Sequence, residues 1–292
     1  MLAWLIVKLM NTANEASTPI PQPYLGSLFE AGVEPVIESG FHYHAAEIAI
    51  HGVKVHNAID MNLPRGTKIL APADGYYIAT YGETLIRNKD NLPRKLSLSE
   101  ALETNPANKN INPPDDINEW EVFFGSYVIQ GWHGKGRYTQ YAHVDWVNPD
   151  IPFYRPQEVI DEQGHKTGDL KHSQMLRAPV AQYRKPGVAT FIRAGEVIAE
   201  VGMTGCGWGK RCYDFAKLNN DGRPDFRGVD YTYYTEPHLH FAAFGRRAPY
   251  TRNAKLIDPF GIYGDMNAGY PKQRSQWQIR QPKAQHGPLW LA

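Results

Sequence analysis

Several things are scarce in this chain, and each scarcity removes a class of answer. There are only two cysteines, Cys206 and Cys212, in 292 residues. In an exported protein they would pair and in the cytosol they would stay reduced, so cysteine usage leaves the compartment open. Charge of either sign is not in excess. Thirty-one Lys and Arg face 30 Asp and Glu, for a formal net charge of +1, which gives no electrostatic case for nucleic acid or an anionic membrane surface. No apolar run is long enough for a transmembrane helix. There is no internal repeat of useful length, which sets solenoids aside. No His-Glu-x-x-His helix is present, so a zinc protease scheme with a glutamate base has no support.

What is present points to a β protein. Hydrophobic residues make up 42%, an ordinary share for a folded chain, and 292 residues bury a full core in one large domain or two small ones. The 26 Gly, 22 Pro, 17 Tyr and 7 Trp favour strands joined by turns over a helical bundle. Residues 1–10, MLAWLIVKLM, are either the remnant of a secretory signal or a short apolar arm. They lack a basic start and a clear cleavage site.

Strands are expected near residues 48–55, 68–71, 76–80, 127–132, 138–141, 196–201 and 239–244. A Pro72-Ala-Asp-Gly75 turn separates the second from the third, and a His133-Gly-Lys-Gly136 turn makes a hairpin of the fourth and fifth. Three stretches break the pattern, near 81–122, 148–190 and 206–235, and read as long loop insertions around one core. The first holds a helix candidate at 98–104. The expected layout is a lead-in over 1–40, a domain over 41–265 and a tail over 266–292 that packs on it.

The chemistry-bearing residues begin with His238-Leu-His240. Two histidines two apart on a strand share a face and suit a metal site or an acid/base pair. His56 and Asp60, four apart, fall on one face of either a strand or a helical turn. His143 stands in Tyr-Ala-His-Val. Catalytic zinc takes three protein ligands and an open position, and imidazole with carboxylate suits it. His56, Asp60 and one of the 238/240 pair make such a set, leaving His143 and the other for proton transfer.

In order along the chain, His56-Asn-Ala-Ile-Asp60, Ala71-Pro-Ala-Asp-Gly75, Gly125-Ser-Tyr-Val128, Tyr141-Ala-His-Val144, Gly195-Glu-Val-Ile-Ala-Glu-Val-Gly-Met-Thr-Gly205, Pro237-His-Leu-His-Phe241 and Asp258-Pro-Phe260 resemble the motif blocks of the lysostaphin and LytM-type zinc endopeptidases. The resemblance covers roughly 51–80, 124–147, 193–205 and 236–261 and lapses in the insertions. Ala58 departs from it, standing where that family has glycine. The resemblance implies an antiparallel β core of the duplicated hybrid motif type. It also implies one zinc ion on His56, Asp60 and His240, with His143 and His238 as the catalytic pair. It further implies a peptidoglycan peptide as substrate and a cell-envelope or secreted location. A disulfide between Cys206 and Cys212 follows from that location. Which histidine takes the proton and which steadies the oxyanion stays open, as does the bond cleaved. A non-catalytic envelope-binding domain and a zinc peptidase acting on protein are the competing readings.

Other features weigh less. His42-x-His44, with His51 nearby, reads as surface or rim. Asn219-Asn-Asp-Gly-Arg-Pro-Asp225 lacks the first acidic ligand and closing glutamate of a calcium loop and reads as a turn. Trp208, Tyr231, Tyr233 and Tyr234 either line a substrate groove or pack on strands.

Overall fold

The computed structural model describes residues 22–43, 45, 48, 55–81, 84–88, 93–96, 120–123, 126–154, 157–160, 166–171, 180–205, 207–209, 217–218, 223–228, 232–233, 236–245, 255–264, 269–277 and 284–291. The chain is mainly β. Its main sheet has nine strands, with the path Val36–Ser39, Ile59–Asn62, His238–Gly245, Tyr138–Ala142, Tyr127–Trp132, Gly75–Tyr81 and Phe153–Tyr154. Thr190–Ile192 and Lys255–Ile257 add to its edges. All these pairs are antiparallel except Phe153–Tyr154 against Gly75–Tyr81. The hairpin expected around residues 133–136 is present, turning through left-handed Gly134, Lys135 and Gly136.

Alternation decides which side chains face the site. In His238–Gly245, Leu239, Phe241 and Ala243 enter the main core, while His238, His240, Ala242 and Phe244 take the other face. In Ile59–Asn62, Ile59 and Met61 go inward and Asp60 and Asn62 outward. Each fully buried Leu, Ile, Met or Phe is worth about 1.5–3 kcal/mol. A slip of one residue would turn the histidines into the main core and the apolar set onto the site face. The core therefore pins the register that sets Asp60 against His240 and Asn62 against His238.

A three-stranded sheet of Val144–Val147, Val197–Val201 and Lys68–Leu70 shares the same core. The Pro72–Gly75 turn thus passes the chain from this sheet to the nine-stranded one rather than closing a hairpin. Just past Val197–Val201, Gly202 bridges His238. A Cβ on Gly202 would meet Asp145 Oδ1 at 2.0 Å, so only glycine lets this strand end lie against the buried Asp145.

The insertions depart from the expectation of plain loops. Thr84–Asn88, Pro93–Leu96 and Trp120–Phe123 from the first pair with Gly207–Gly209 and Thr232–Tyr233 from the third, in one five-stranded antiparallel sheet. The second contributes the hairpin Gln157–Ile160 with Lys166–Lys171, and the short helix Val180–Tyr183, whose Tyr183 packs on the outer face of the main sheet. Of the strand expected at 48–55, Ile48 is helical, Val55 bridges His42, and the residues between lie outside the described ones. The helix expected at 98–104 and residues 1–10 also lie outside them.

Candidate metal centre

Asp60 and His240 are cross-strand partners on the outer face of the main sheet. His240 Nδ1 stands 3.0 Å from Asp60 Oδ1. His56 reaches the pair from outside the strand. It and Asp60 do not share a regular strand or helix face, because the chain turns through Asn57 at φ +68° before Ile59 begins the strand. That turn brings His56 Nε2 to 3.1 Å from Asp60 Oδ2 and 3.2 Å from His240 Nδ1. The left-handed residue is Asn57, an amino acid that tolerates it, and Ala58 is buried beside it. The missing glycine therefore costs the site nothing.

The donor set fits zinc. Bonds of about 2.0–2.1 Å in a tetrahedron place neighbouring donor atoms about 3.3 Å apart. Here His240 Nδ1 lies 3.0 Å from Asp60 Oδ1 and 3.2 Å from His56 Nε2, His56 Nε2 lies 3.1 Å from Asp60 Oδ2, and one donor atom from each residue falls within 4.8 Å of the others. Two imidazoles and one carboxylate match the composition of catalytic zinc sites.

Backbone carbonyls fix the rings. A carbonyl only accepts, so each ring nitrogen facing one carries the proton. His56 Nδ1 donates to Gly40 O at 2.9 Å, which puts the lone pair on Nε2, the atom in the triad. His143 Nδ1 donates to Thr204 O at 2.6 Å, and His238 Nδ1 to Glu236 O at 2.8 Å. Such outer partners set tautomer and orientation. Tyr43 stacks on His56 at 4.4 Å between ring centroids.

His143 and His238 flank the triad, their rings 4.8 Å apart, and His143 lies 5.4 Å from His240. His238 Nε2 is 3.9 Å from Asp60 Oδ1. His143 follows the Tyr138–Ala142 strand at φ +63°, an uncommon conformation for a residue other than glycine and one that points to a local purpose. Thr204 holds it there. The Thr204 hydroxyl donates to Val144 O and accepts from Tyr127 N, and the Thr204 carbonyl takes the His143 ring proton. Ser126 Oγ accepts from His143 N. Gly205, at φ +86°, leaves room for the ring, since a Cβ there would sit 3.1 Å from His143 Nδ1.

All five residues singled out in the sequence therefore meet in one place. His42 is only half-buried and makes a backbone bond to Gly264, and His44 and His51 lie outside the described residues. So do Cys206, Cys212, Tyr231 and Tyr234, and of Trp208 and Tyr233 only the backbone is described. Sequence reading missed Gly40, Tyr43, Asn62, Ser126, Thr204 and Glu236. Asn62 sits in register with His238, and its Oδ1 is buried without a protein partner. A carbonyl that orients a ring leaves no mark on residue type, so only the Met-Thr-Gly block hinted at this support.

Burial sets the protonation of the cluster. It opposes ionisation of Asp60, but the neighbouring His56 and His238 and hydrogen bonds from His240 and His56 outweigh it and hold the carboxyl well below 3.8. Burial lowers His240 from 6.5 to about 4 despite Asp60, and lowers His143 as well. Away from the site, burial also lowers His133 to about 4. These histidines bind protons more readily unfolded than folded. Metal-free protein should therefore lose stability as pH falls from about 6.5 toward 4, with a further loss below 3.8 as Asp60 is protonated. Thermal melts in chelator across this range test the point, and a melting temperature constant from pH 7 to 4 would contradict it.

No family model matches the chain, and no curated protein matches it. Twenty-five chains of solved structures do. Lysostaphin of Staphylococcus simulans is 15% identical, with 81% of this chain and 53% of that one covered and a TM-score of 0.33. A zinc-containing peptidase from Vibrio cholerae is 16% identical over 77% and 36%, with a TM-score of 0.30. A variant catalytic domain of the prophage-encoded M23 protein EnpA from Enterococcus faecalis is 12% identical over 82% and 95%, with a TM-score of 0.32. The chain spans about half of lysostaphin and about a third of the Vibrio peptidase. Likenesses this loose assign no residue a role.

Proposed function

We propose that the chain is a zinc-dependent endopeptidase, with His56, Asp60 and His240 as ligands and His143 and His238 as the catalytic pair. One observation carries this reading. One donor atom each from His56, Asp60 and His240 converges within 4.8 Å, with closest approaches of 3.0, 3.1 and 3.2 Å, and two further histidines stand beside them with their Nδ1 protons fixed on carbonyls. A purely structural zinc site is normally closed by four protein ligands. Zinc held here would supply Lewis acidity toward a carbonyl and make water acidic near neutrality.

The chain's own residues do the rest. With Nδ1 protonated and Nε2 basic, His143 or His238 accepts a proton from the attacking water and delivers it to the leaving amine. The partner, whose Nδ1 proton is already held by a backbone carbonyl, donates from Nε2 as an imidazolium to the oxyanion that develops on the scissile carbonyl. Lowered proton affinity keeps His143 neutral, the form a base needs. All five positions are filled, which favours catalysis over a binding or activator role.

The motif blocks support an extended peptide of peptidoglycan as substrate, in the cell envelope. The five-stranded sheet of the first and third insertions supports a substrate wall. Its strands adjoin Gly75–Tyr81, Tyr127–Trp132, Gly205 and His238, the ends from which Ser126, Thr204 and Glu236 support the catalytic pair. In the proposed layout, residues 41–265 form the catalytic domain, with 1–40 leading in and 266–292 packed across it.

The test is digestion of cell walls of several cross-link chemistries, and of a linear protein substrate, with new amine ends identified. Cleavage should stop with chelator and return with zinc. Full zinc occupancy with no cleavage of any substrate would favour the binding role, and cleavage confined to protein would favour the protein-directed peptidase. Replacing residues 208–233 by a short Gly/Ser linker should leave zinc bound and alter substrate preference. Unchanged rates and preference would overturn the wall.

A further inference from the structure

The metal triad accounts for His56 Nε2, but not for a buried polar chain on the far side of that histidine. His56 is gripped twice by the same backbone turn. Its N–H donates to Phe41 O at 3.1 Å and its ring Nδ1 donates to Gly40 O. That turn is itself held by Tyr270. Phe41 N donates to the Tyr270 hydroxyl at 3.1 Å, and the Tyr270 hydroxyl donates to Asp258 Oδ2. The fit is close. A Cβ on Gly40 would lie 2.5 Å from Tyr270 Cε2 and 2.7 Å from Gly264 O. Tyr270 is 5% exposed and Asp258 is fully buried. Asp258 also accepts from the N–H groups of Phe260, Ile262 and Tyr263, and among the described residues its side-chain donor is the tyrosine.

We propose that Tyr270 is a positioning residue for the metal ligand His56, acting from the tail through Phe41 and Gly40 and anchored by Asp258. Neither Tyr270 nor Asp258 touches the triad. Their effect runs through the carbonyl that fixes the His56 tautomer and aims its Nε2 at Asp60 and His240. Loss of the tyrosine hydroxyl orphans the buried Phe41 N–H and removes a donor from a buried carboxylate. The turn then relaxes, and the ring it holds loses its aim. This rests on the metal reading of the triad and extends it to the last part of the chain, which otherwise looks like packing.

The experiment compares the full chain with Tyr270→Phe. Tyr183→Phe serves as control, since it removes another buried hydroxyl, the acceptor of Gln130 Nε2, on a different part of the sheet. Zinc affinity is read by chelator competition, and the cobalt(II) form by its visible absorption. Tyr270→Phe should weaken zinc about 10–100-fold, the usual scale for an outer-shell partner, and change the cobalt spectrum. Tyr183→Phe should leave both as in the unaltered protein. Zinc affinity within twofold of the unaltered protein and an identical cobalt spectrum in Tyr270→Phe would overturn the proposal, whatever its melting temperature. So would equal weakening in both variants, which would make the effect one of general stability. Should Tyr270→Phe not fold, Asp258→Asn decides on the same two readouts and should also weaken zinc, since it removes the charge that anchors the tyrosine and turns one oxygen that accepts a backbone N–H into an amide donor. Failure of the unaltered protein to bind zinc would sink the triad reading itself. Tight zinc binding that Tyr270→Phe or Asp258→Asn does not disturb would sink this inference alone.

Discussion

Asp60→Ala should abolish both zinc binding and hydrolysis. Asp60 is the only anion in the triad, and each of its oxygens faces a different imidazole, Oδ1 toward His240 and Oδ2 toward His56. Without it, two neutral rings remain, and nothing balances the cation's charge. An outer-shell loss costs about 10–100-fold in affinity, and removing a charged ligand should exceed that. The fold should survive, because Asp60 lies on the outer face while Ile59 and Met61 on either side keep the strand in the core. Asp60→Asn separates charge from shape, since it preserves volume and one acceptor. It should bind zinc better than Asp60→Ala and worse than the unaltered protein. Metal analysis of purified variants is the measurement. Full zinc occupancy in Asp60→Ala would show that the ion, if one binds, sits elsewhere.

Much of this site was legible in the sequence because strand alternation is a strict code. His238-Leu-His240 had to place both rings on one face, and the buried Leu239 and Phe241 show which face. His56 and Asp60 were the right pair for a partly wrong reason. Their convergence needs the left-handed Asn57, which no strand or helix period contains. Six of the seven expected strands fall within a residue or two of the observed ones, but the one expected at 48–55 does not, and the sequence pattern gives no sign of Ile59–Asn62 or Val144–Val147 as strands. It reads Val36–Ser39 as lead-in and gives no sign of the five-stranded sheet of the insertions. Pairing such as Leu85 with Phe123, or Trp208 with Phe123, joins short segments far apart in sequence. Local periodicity carries no trace of such partners. The supporting contacts were hidden for a different reason. Gly40, Thr204 and Glu236 act through backbone carbonyls, which every residue has.

His143 and His238 should divide from the triad when mutated. Neither ring nitrogen of these residues is among the three converging donors, yet both rings stand next to them. Removing either should leave zinc in place while lowering turnover by about two to four orders of magnitude, the scale for a general acid or base. His238→Ala is a fair test because its backbone is ordinary strand. At His143 alanine would also face the strain of φ +63°, so His143→Asn, which tolerates that conformation, is the cleaner variant. The pH profile then separates the two roles. Loss of the residue that accepts the proton should remove the acid limb of the rate profile. Loss of the oxyanion donor should lower the rate at every pH and leave the limb. Zinc lost from both variants in step with activity would mean that the ion recruits these rings, and that the division between ligands and catalysts has been drawn in the wrong place.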